Sequence, residues 1–125
     1  MAKGIIRSDE VEHSGGPYSQ AVQAGGFVFL SGQTGVDRDG RLKEGIEAQT
    51  RQALQNAQAI LQAAGAKLDD VVQVRAYIAD LVQYSAMNKI YAGFFPKAPP
   101  SRACVSAELP EGALIEFVVT AYVGG

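Results

Sequence analysis

Two charged residues stand in apolar, strand-like surroundings near the end of this chain, and their side chains are the best candidates for chemistry. Arg102 begins the alternating run 102–107, so it shares one face with Cys104. Glu116 lies near the start of a second alternating run, 114–123. A guanidinium binds a carboxylate through two parallel hydrogen bonds, and a nearby carboxylate can hold a water molecule. The pair therefore indicates a site where water attacks a small substrate that carries a carboxylate.

The composition restricts the class of protein. The chain has 125 residues, of which 47% are hydrophobic, which suits one domain with a real core. The formal net charge is −2, and Lys and Arg are spread along the chain, so a nucleic-acid partner is not expected. The longest apolar runs are far shorter than the roughly 20 residues that span a membrane, and the N-terminus lacks the apolar segment of a signal peptide. We expect a cytoplasmic protein without a membrane partner.

Few residues are available for metal or thiol chemistry. The chain has one cysteine, Cys104, and one histidine, His13, which excludes an intramolecular disulfide and a histidine pair within one chain. Cys104 has no evident base beside it, so its thiol is interpreted as a small buried hydrophobe and not as a nucleophile. His13 is assigned to surface structure. Neither a metal ion nor an organic cofactor is expected.

The hydrophobic pattern predicts the elements of the first half. Short strands are predicted weakly at 5–6 and more strongly at 19–23 and 27–31, with a tight turn between the last two. Apolar residues then recur at helical spacing from Ile46 to Ala64, and Gly65 ends the helix. The glutamines of this helix are interpreted as a solvated face: Gln49, Gln52, Gln55, Gln58 and Gln62.

The second half alternates strands with a helix. A strand is predicted over 71–79, and a helix over 84–94 that three following prolines end. The apolar face of the strand is assigned to Val72, Val74, Ala76 and Ile78. The apolar stripe of the helix is Tyr84, Met87, Tyr91 and Phe94 or Phe95, with Asn88 beside it. The element order implies an α+β fold, a mixed sheet with both helices on one face.

The last predicted strand, 114–123, suggests an oligomer. Its odd-numbered residues from Ile115 to Val123 would face the helices, and its even-numbered residues from Leu114 to Tyr122 would face away. This second face is too apolar for solvent and too polar for a monomer core. We expect it to meet another subunit, and clefts at such interfaces are common binding sites.

Five stretches of the chain closely resemble the Rid/YjgF family, the RidA-type enamine and imine deaminases. In the family's order they are 16–22 (GPYSQAV), 29–33 (FLSGQ), 87–91 (MNKIY), 100–105 (PSRACV) and 112–116 (GALIE). Any one stretch would be a weak signal, but five at family-like spacing are specific and cover nearly the whole chain. The chain departs from the family in two places. Residues 12–15 stand where many members have an Ala- and Pro-rich segment before the first motif, and the C-terminal residues 122–125 are not a charged tail. These departures leave the subfamily open.

The resemblance implies a fold, an assembly and an activity. The fold would be that of bacterial chorismate mutase, in a single domain over 1–125. The assembly would be a homotrimer with sites at the subunit interfaces. The activity would be hydrolysis of 2-imino and enamine acids, such as 2-aminoacrylate and 2-iminobutanoate, to 2-oxo acids and ammonia without a cofactor.

The resemblance also implies a role for each matching residue. Arg102 would bind the substrate carboxylate, and Glu116 would orient the attacking water. The remaining members of the implied substrate-binding site are Tyr18 as a pocket wall, the backbone at Ser31 and Gly32, Asn88 on the second helix, and the carbonyl of Cys104.

Plain structural interpretations of the same residues stay open. Arg102 could cap a strand edge, with Glu116 as its buried ion-pair partner. Tyr18 could be a packed turn residue, Gly32 an ordinary loop glycine, and Asn88 an exposed helix residue.

Other functions also stay open. They are deamination of a larger enamine such as an aminomuconate, non-catalytic binding of 2-oxo acids, a chaperone-like surface, and ribonuclease activity. The acidic pI of about 5.3 and the lack of a basic aromatic platform argue against the last. Chorismate mutase shares only the fold, and fold does not imply function.

Overall fold

The computed structural model describes residues 2–124, which form a seven-stranded mixed sheet and two helices. The helices are α1 (Ile46–Ala63) and α2 (Tyr84–Phe94). The strands are β1 (Gly4–Ile6), β2 (Ala21–Ala24), β3 (Phe27–Leu30), β4 (Gln33–Thr34), β5 (Val71–Ile78), β6 (Ser101–Ser106) and β7 (Ile115–Tyr122). The predicted α+β class and element order are confirmed, although the short β4 was not predicted. No helix within the described range is long and apolar enough to cross a membrane.

The strand order places the predicted functional strands side by side. The sheet runs β1-β2-β3-β7-β5-β6, and β4 continues from β3 along β7. Strands β5 and β6 are parallel and are joined through α2, while the other pairs are antiparallel. A parallel pair requires such a crossover connection. As a result, β6 lies at one edge of the sheet. It follows α2 in the chain, and its residue Arg102 contacts α2.

The core fills the space between the sheet and the helices. Alternate residues of β7 from Ile115 to Ala121 are fully buried on this side, as are Val74 and Ile78 of β5. The first helix contributes Leu54, Ile60 and Leu61, which are also fully buried. Full burial of such a side chain stabilises the fold by about 1.5–3 kcal/mol. The alternation in β7 therefore assigns one sheet face to the core, as predicted.

The end of α1 follows the predicted glycine stop. Gly65 has a φ of 77°, a left-handed conformation that glycine adopts without strain. The Ala66 N–H donates to the Leu61 carbonyl at 2.8 Å, and the Gly65 N–H donates to the Gln62 carbonyl at 3.0 Å. These two hydrogen bonds satisfy carbonyls that the helix end leaves free, in the Schellman arrangement.

The interpretation of the α1 glutamines as one solvated face is wrong for Gln49. Its side chain is only 2% exposed. Its amide nitrogen donates to the carbonyls of Lys43 and Gly112, and its amide oxygen accepts from the Leu114 N–H at 2.7 Å. The segments that contain Lys43 and residues 112–114 place backbone carbonyl and N–H groups beside the buried face of α1. A side chain with both a donor and an acceptor is therefore needed there.

The assignment of Val72 to the apolar face of β5 is also wrong. Its side chain is 44% exposed, whereas Val71 is 6% exposed. The register between β5 and β7 shifts between Val71 and Gln73, so an extra residue turns Val72 outward. A β-bulge of this kind breaks the strict alternation that sequence patterns assume. Two further residues predicted for the last strand, Leu114 and Val123, lie just outside β7 and pack partly against the core.

Candidate active site

Arg102 lies on the edge strand β6 with its guanidinium turned toward α2. Its Nη2 donates to the hydroxyl of Tyr84 at 2.9 Å, and its Nη1 lies 3.9 Å from the sulfur of Met87. The guanidinium carbon lies 4.6 Å from the ring centroid of Tyr91. An aromatic face at this distance attracts a cation without neutralising it. The side chain is thus held by neutral groups alone.

No carboxylate pairs with Arg102 within residues 2–124, where the ion pairs are Arg7–Asp9 and Lys43–Asp37. The interpretation of Glu116 as its ion-pair partner is therefore wrong within one chain. A guanidinium has five N–H donors, and most of those of Arg102 remain free for a ligand. Arg102 lies on the edge strand, as the alternative interpretation expects, but its partly buried side chain contacts α2.

A cleft of about 360 Å³ opens beside Arg102, between α2 and the chain that enters β6. Asn88 lines it together with Tyr91, Phe95 and the two prolines before β6. The Tyr91 hydroxyl is buried and makes no hydrogen bond of good geometry with any residue in the described range. Burial raises the pKa of Tyr91, and the charge of Arg102 acts against that rise. The cleft therefore joins an apolar wall to a positive charge and two polar groups.

Cys104 lies two residues further along β6, on the same face as Arg102. Burial raises the pKa of its thiol, and the nearby guanidinium only partly opposes this. A thiol with a raised pKa is protonated at neutral pH and is a poor nucleophile. The structure agrees with the interpretation of this sulfur as a small hydrophobe and not a nucleophile, although Cys104 is only half-buried, not fully buried as predicted.

Glu116 lies in a second cavity, also of about 360 Å³, between β4 and the loop over 12–20. Its carboxylate packs directly on the Cα of Gly32, where a Cβ would lie 2.7 Å from the Glu116 carboxyl carbon. Burial raises the pKa of Glu116. A partly desolvated carboxylate without a cationic partner is a stronger base than an exposed one. This arrangement suits a group that accepts a proton from water.

Tyr18 forms one wall of this cavity and is held by its own loop, although its side chain is 52% exposed. The Gly15 N–H donates to Nδ1 of His13, so the proton of the neutral ring lies on Nε2, which donates to the Tyr18 carbonyl at 3.0 Å. The Tyr18 hydroxyl bonds the hydroxyl of Ser14. His13, assigned from sequence to surface structure, thus borders the cavity and fixes the segment that carries Tyr18.

Ser31 uses both of its donors within the fold. Its hydroxyl donates to the Ser19 carbonyl at 2.6 Å, and its backbone N–H donates to the Gln20 carbonyl at 2.9 Å. Ser31 therefore ties the end of β3 to the loop that leads from Tyr18. A ligand contact through backbone N–H in this segment would have to come from Gly32.

The predicted site residues form two groups on opposite faces of the sheet. Across the neighbouring strand β5, Arg102 is opposite Val74 and Glu116 is opposite Tyr77. Since paired residues share a face and residues three apart in a strand do not, the two charged side chains point in opposite directions. We call the groups the arginine half-site (Asn88, Arg102, Cys104) and the glutamate half-site (Tyr18, Ser31, Gly32, Glu116). One chain does not bring the two half-sites together.

Sequence reasoning missed Tyr84 and Tyr91 as neighbours of Arg102, and assigned them only to the helix stripe. One sequence signal could have indicated them. The apolar stripe of α2 contains tyrosines, although aliphatic side chains would be sufficient to form a core. With Asn88 they recur at i, i+4 and i+7, which places all three on one helix face.

Comparisons with known proteins identify the family. The family model described as Endoribonuclease L-PSP matches residues 10–123. A RutC family protein of Pyrococcus horikoshii is 42% identical over 123 residues, which cover 96% of this chain and 98% of the relative. The chain belongs to the YjgF/L-PSP family, also known as the Rid family. The predicted family is confirmed.

Two further Rid-family relatives bear on function. The chloroplastic Reactive Intermediate Deaminase A of Arabidopsis thaliana is 39% identical over 120 residues, which cover 94% of this chain and 64% of the relative. The crystal structure of TdcF of Escherichia coli with bound serine has a TM-score of 0.91 and 32% identity, and covers 95% of this chain and 98% of that one. The fold is that of the Rid family, and the family includes deaminases of reactive intermediates. The roles predicted for the individual site residues stay predictions.

The contact between Gly32 and Glu116 in this Rid-family chain gives a first prediction. In Gly32→Ala the new methyl group would overlap the carboxylate, which is the flexible end of its side chain. We expect the carboxylate to move aside, so activity falls at least about tenfold, while the unfolding free energy changes by less than about 1 kcal/mol. Steady-state rates and thermal unfolding measure the two effects. Gly93→Ala is the matched control, because nothing lies within 4 Å of its Cβ position; an equal loss there would contradict the prediction.

The buried carboxylate of the same half-site gives a pH prediction. If ionised Glu116 is the base, kcat/KM should fall with decreasing pH through a pKa above the ordinary glutamate value of 4.5. The folded pKa exceeds the unfolded one, so the neutral carboxyl favours folding at low pH and that contribution is lost as pH rises through the folded pKa. Glu116→Gln should therefore raise the thermal midpoint at pH 7, and this gain should disappear below about pH 4. A thermal midpoint that falls at pH 7 would contradict the assignment of the raised pKa to burial.

Proposed function

We propose that this Rid-family chain hydrolyses small 2-imino acids and their enamine tautomers, such as 2-iminobutanoate and 2-aminoacrylate, to 2-oxo acids and ammonia. The observation that carries the proposal is the guanidinium of Arg102, which is enclosed by neutral groups and lacks an anionic partner within residues 2–124. Its free donors suit a bidentate carboxylate. The deaminase name of a 39% identical relative and the serine bound to TdcF, itself a small carboxylate, support the same substrate class.

The proposed reaction needs only positioning and one proton relay. The enamine first tautomerises to the imine, and Arg102 binds the carboxylate of the imine. Glu116 accepts a proton from the water that attacks the imine carbon and passes it to the imine nitrogen, so a C–O bond forms as the second C–N bond opens, and the product is a neutral carbinolamine. Glu116 then accepts the proton of the carbinolamine hydroxyl and passes it to the amino nitrogen as the remaining C–N bond breaks. The 2-oxo acid and ammonia leave, and Glu116 is ionised again. Because the imine also hydrolyses in water, orientation and a tuned base provide sufficient acceleration.

The remaining predicted residues have supporting roles in this proposal. The carbonyl of Cys104 would accept a hydrogen bond from the attacking water, and the backbone at Gly32 would approach the substrate carboxylate. Asn88 and Tyr18 would border the substrate from the two half-sites. No metal ion or organic cofactor takes part in the proposed steps.

The proposed assembly is a homotrimer in which the arginine half-site of one copy meets the glutamate half-site of another. Two observations support it. The half-sites lie on opposite sheet faces, so a single chain has an incomplete site. The face away from the helices also exposes large apolar side chains to between 42% and 48% of their area: Phe27, Phe29, Val72, Val105 and Tyr122. Exposed apolar surfaces of this kind mark interfaces. A cytoplasmic location is part of the proposal.

A coupled assay tests the proposed activity. A threonine dehydratase generates 2-iminobutanoate from threonine, and semicarbazide traps the imine that survives as its semicarbazone. The protein should suppress semicarbazone formation in proportion to its concentration, while 2-oxobutanoate still accumulates. Unchanged semicarbazone formation would overturn the proposal for small imines. A parallel assay with a larger enamine, and one with single-stranded RNA for the activity in the family description, would then separate the two alternatives.

A further inference from the structure

We propose that Tyr84 is a positioning residue for the substrate carboxylate: its hydroxyl holds the guanidinium of Arg102 in the orientation that binds the substrate. The inference rests on the proposed function. It states that Tyr84 strengthens the binding of carboxylates by orienting Arg102. The observation behind it is the 2.9 Å hydrogen bond from Nη2 of Arg102 to the Tyr84 hydroxyl.

The contacts of Arg102 divide into directional and non-directional ones. The ring of Tyr91 lies under the guanidinium at 4.6 Å, which fixes its distance from the helix but leaves rotation within its plane free. The sulfur of Met87, at 3.9 Å from Nη1, is a weak acceptor. The Tyr91 hydroxyl also lies near Arg102 but does not meet hydrogen-bond geometry, whereas the hydroxyl of Tyr84 accepts a well-formed hydrogen bond. Tyr84 therefore sets the rotation of the planar guanidinium. The guanidinium can donate two parallel hydrogen bonds to a carboxylate only when its plane is rotated so that two N–H groups point at the two oxygens.

A tyrosine hydroxyl suits this role because it is neutral. An aspartate or glutamate in the same place would orient the guanidinium equally well, but it would also neutralise the charge that attracts the substrate. Tyr84 uses one of the five donors of the guanidinium. Enough donors remain for both oxygens of a carboxylate.

The position of Tyr84 is itself well determined. It is the first residue of α2, and the side chain of Asp80 caps the turn before it by accepting from the Val82 N–H at 3.0 Å. Asn88 follows one helical turn later, on the same side of the helix. The start of α2 therefore places the hydroxyl of Tyr84 over Arg102, next to the cleft that Asn88 and Tyr91 line.

Tyr84→Phe tests the inference because it removes the hydroxyl and keeps the ring. We expect the dissociation constant of 2-oxobutanoate, measured by calorimetry, and the KM for 2-iminobutanoate each to rise about three- to tenfold. The kcat should change less than about twofold, since the base is unaffected. Ser85→Ala is the control: it deletes the hydroxyl of an exposed residue of α2 that does not line the cleft beside Arg102, and it should leave both constants unchanged.

A double-mutant cycle with Arg102→Lys shows whether Tyr84 acts through Arg102. A lysine cannot form the planar fork that Tyr84 orients, so Tyr84→Phe should have no further effect in that background. A full three- to tenfold effect in both backgrounds, or unchanged binding and KM in the single variant, would overturn the inference. If the wild type binds 2-oxobutanoate but does not hydrolyse the imine, the proposed activity fails while the binding measurements still decide the role of Tyr84.

Discussion

Arg102→Ala is expected to lower kcat/KM for the hydrolysis of 2-iminobutanoate at least about 30-fold and to leave the fold intact. In the proposed complex Arg102 forms a charge pair with the substrate carboxylate, and truncating one partner of a buried, hydrogen-bonded charge pair costs about 2–5 kcal/mol. At 1.4 kcal/mol for each factor of ten, kcat/KM should fall between about 30-fold and several thousand-fold. The loss of stability should be small, because the arginine has neutral partners and no buried anion is left unpaired when it is removed. The semicarbazide assay, binding of 2-oxobutanoate and thermal unfolding measure the three quantities.

Arg51→Ala is the matched control for this variant. Arg51 lies exposed on α1 and is absent from both cavities, so the same substitution there should leave kcat/KM unchanged. Two outcomes would contradict the assignment of Arg102 to carboxylate binding. One is full activity in Arg102→Ala, and the other is lost activity with undiminished affinity for 2-oxobutanoate.

A mixture of two inactive variants is expected to recover activity if the site is made from two copies. Arg102→Ala removes the arginine half-site, and Glu116→Gln removes the base, which by itself should lower kcat about 100- to 10,000-fold. In trimers assembled from equal proportions, homotrimers included, about one quarter of all sites should combine an intact arginine half-site with an intact glutamate half-site of the neighbouring copy, and in the hetero-trimers alone about one third should do so. The mixed sample should therefore show about a quarter of the wild-type rate per chain, far above either variant alone.

The mixing experiment needs proof that the variants share one oligomer. Two different affinity tags and sequential purification isolate the hetero-oligomers, and native mass spectrometry gives their composition and the number of copies. The double variant, co-assembled with Arg102→Ala, is the negative control, because no pairing in it restores Arg102. If verified hetero-oligomers of the two single variants remain inactive, the proposal that Arg102 and Glu116 act from different copies is wrong.

Local patterns in the sequence predicted the elements because each pattern records an interaction between residues close in the chain. The helical spacing of apolar residues predicted both helices, and Gly65 ends α1 because a left-handed residue is needed at that point. Alternation in 114–123 correctly divided the residues of β7 between the two sheet faces. Alternation failed at Val72, where the bulge depends on the pairing of β5 with β7, strands far apart in the chain.

Polar residues were harder to assign than apolar ones, because the sequence does not show which partners a polar side chain meets. Gln49 appeared solvated until the fold brought two loops over it. Tyr84 and Tyr91 were both assigned to the core. Tyr91 does belong to the core but also lies against the guanidinium of Arg102, whereas Tyr84 is exposed and accepts a hydrogen bond from it. Each of these contacts joins residues that are distant in the chain or in different elements.

The sequence by itself determined the family of this protein, its α+β fold class and the residue types of its candidate site. These follow from short-range periodicity and from motifs that are contiguous in the chain. Only the tertiary structure decided that Arg102 and Glu116 face opposite sides of the sheet. That result depends on the register of β6 and β7 against the strand between them, and a shift of one residue would turn either side chain to the other face.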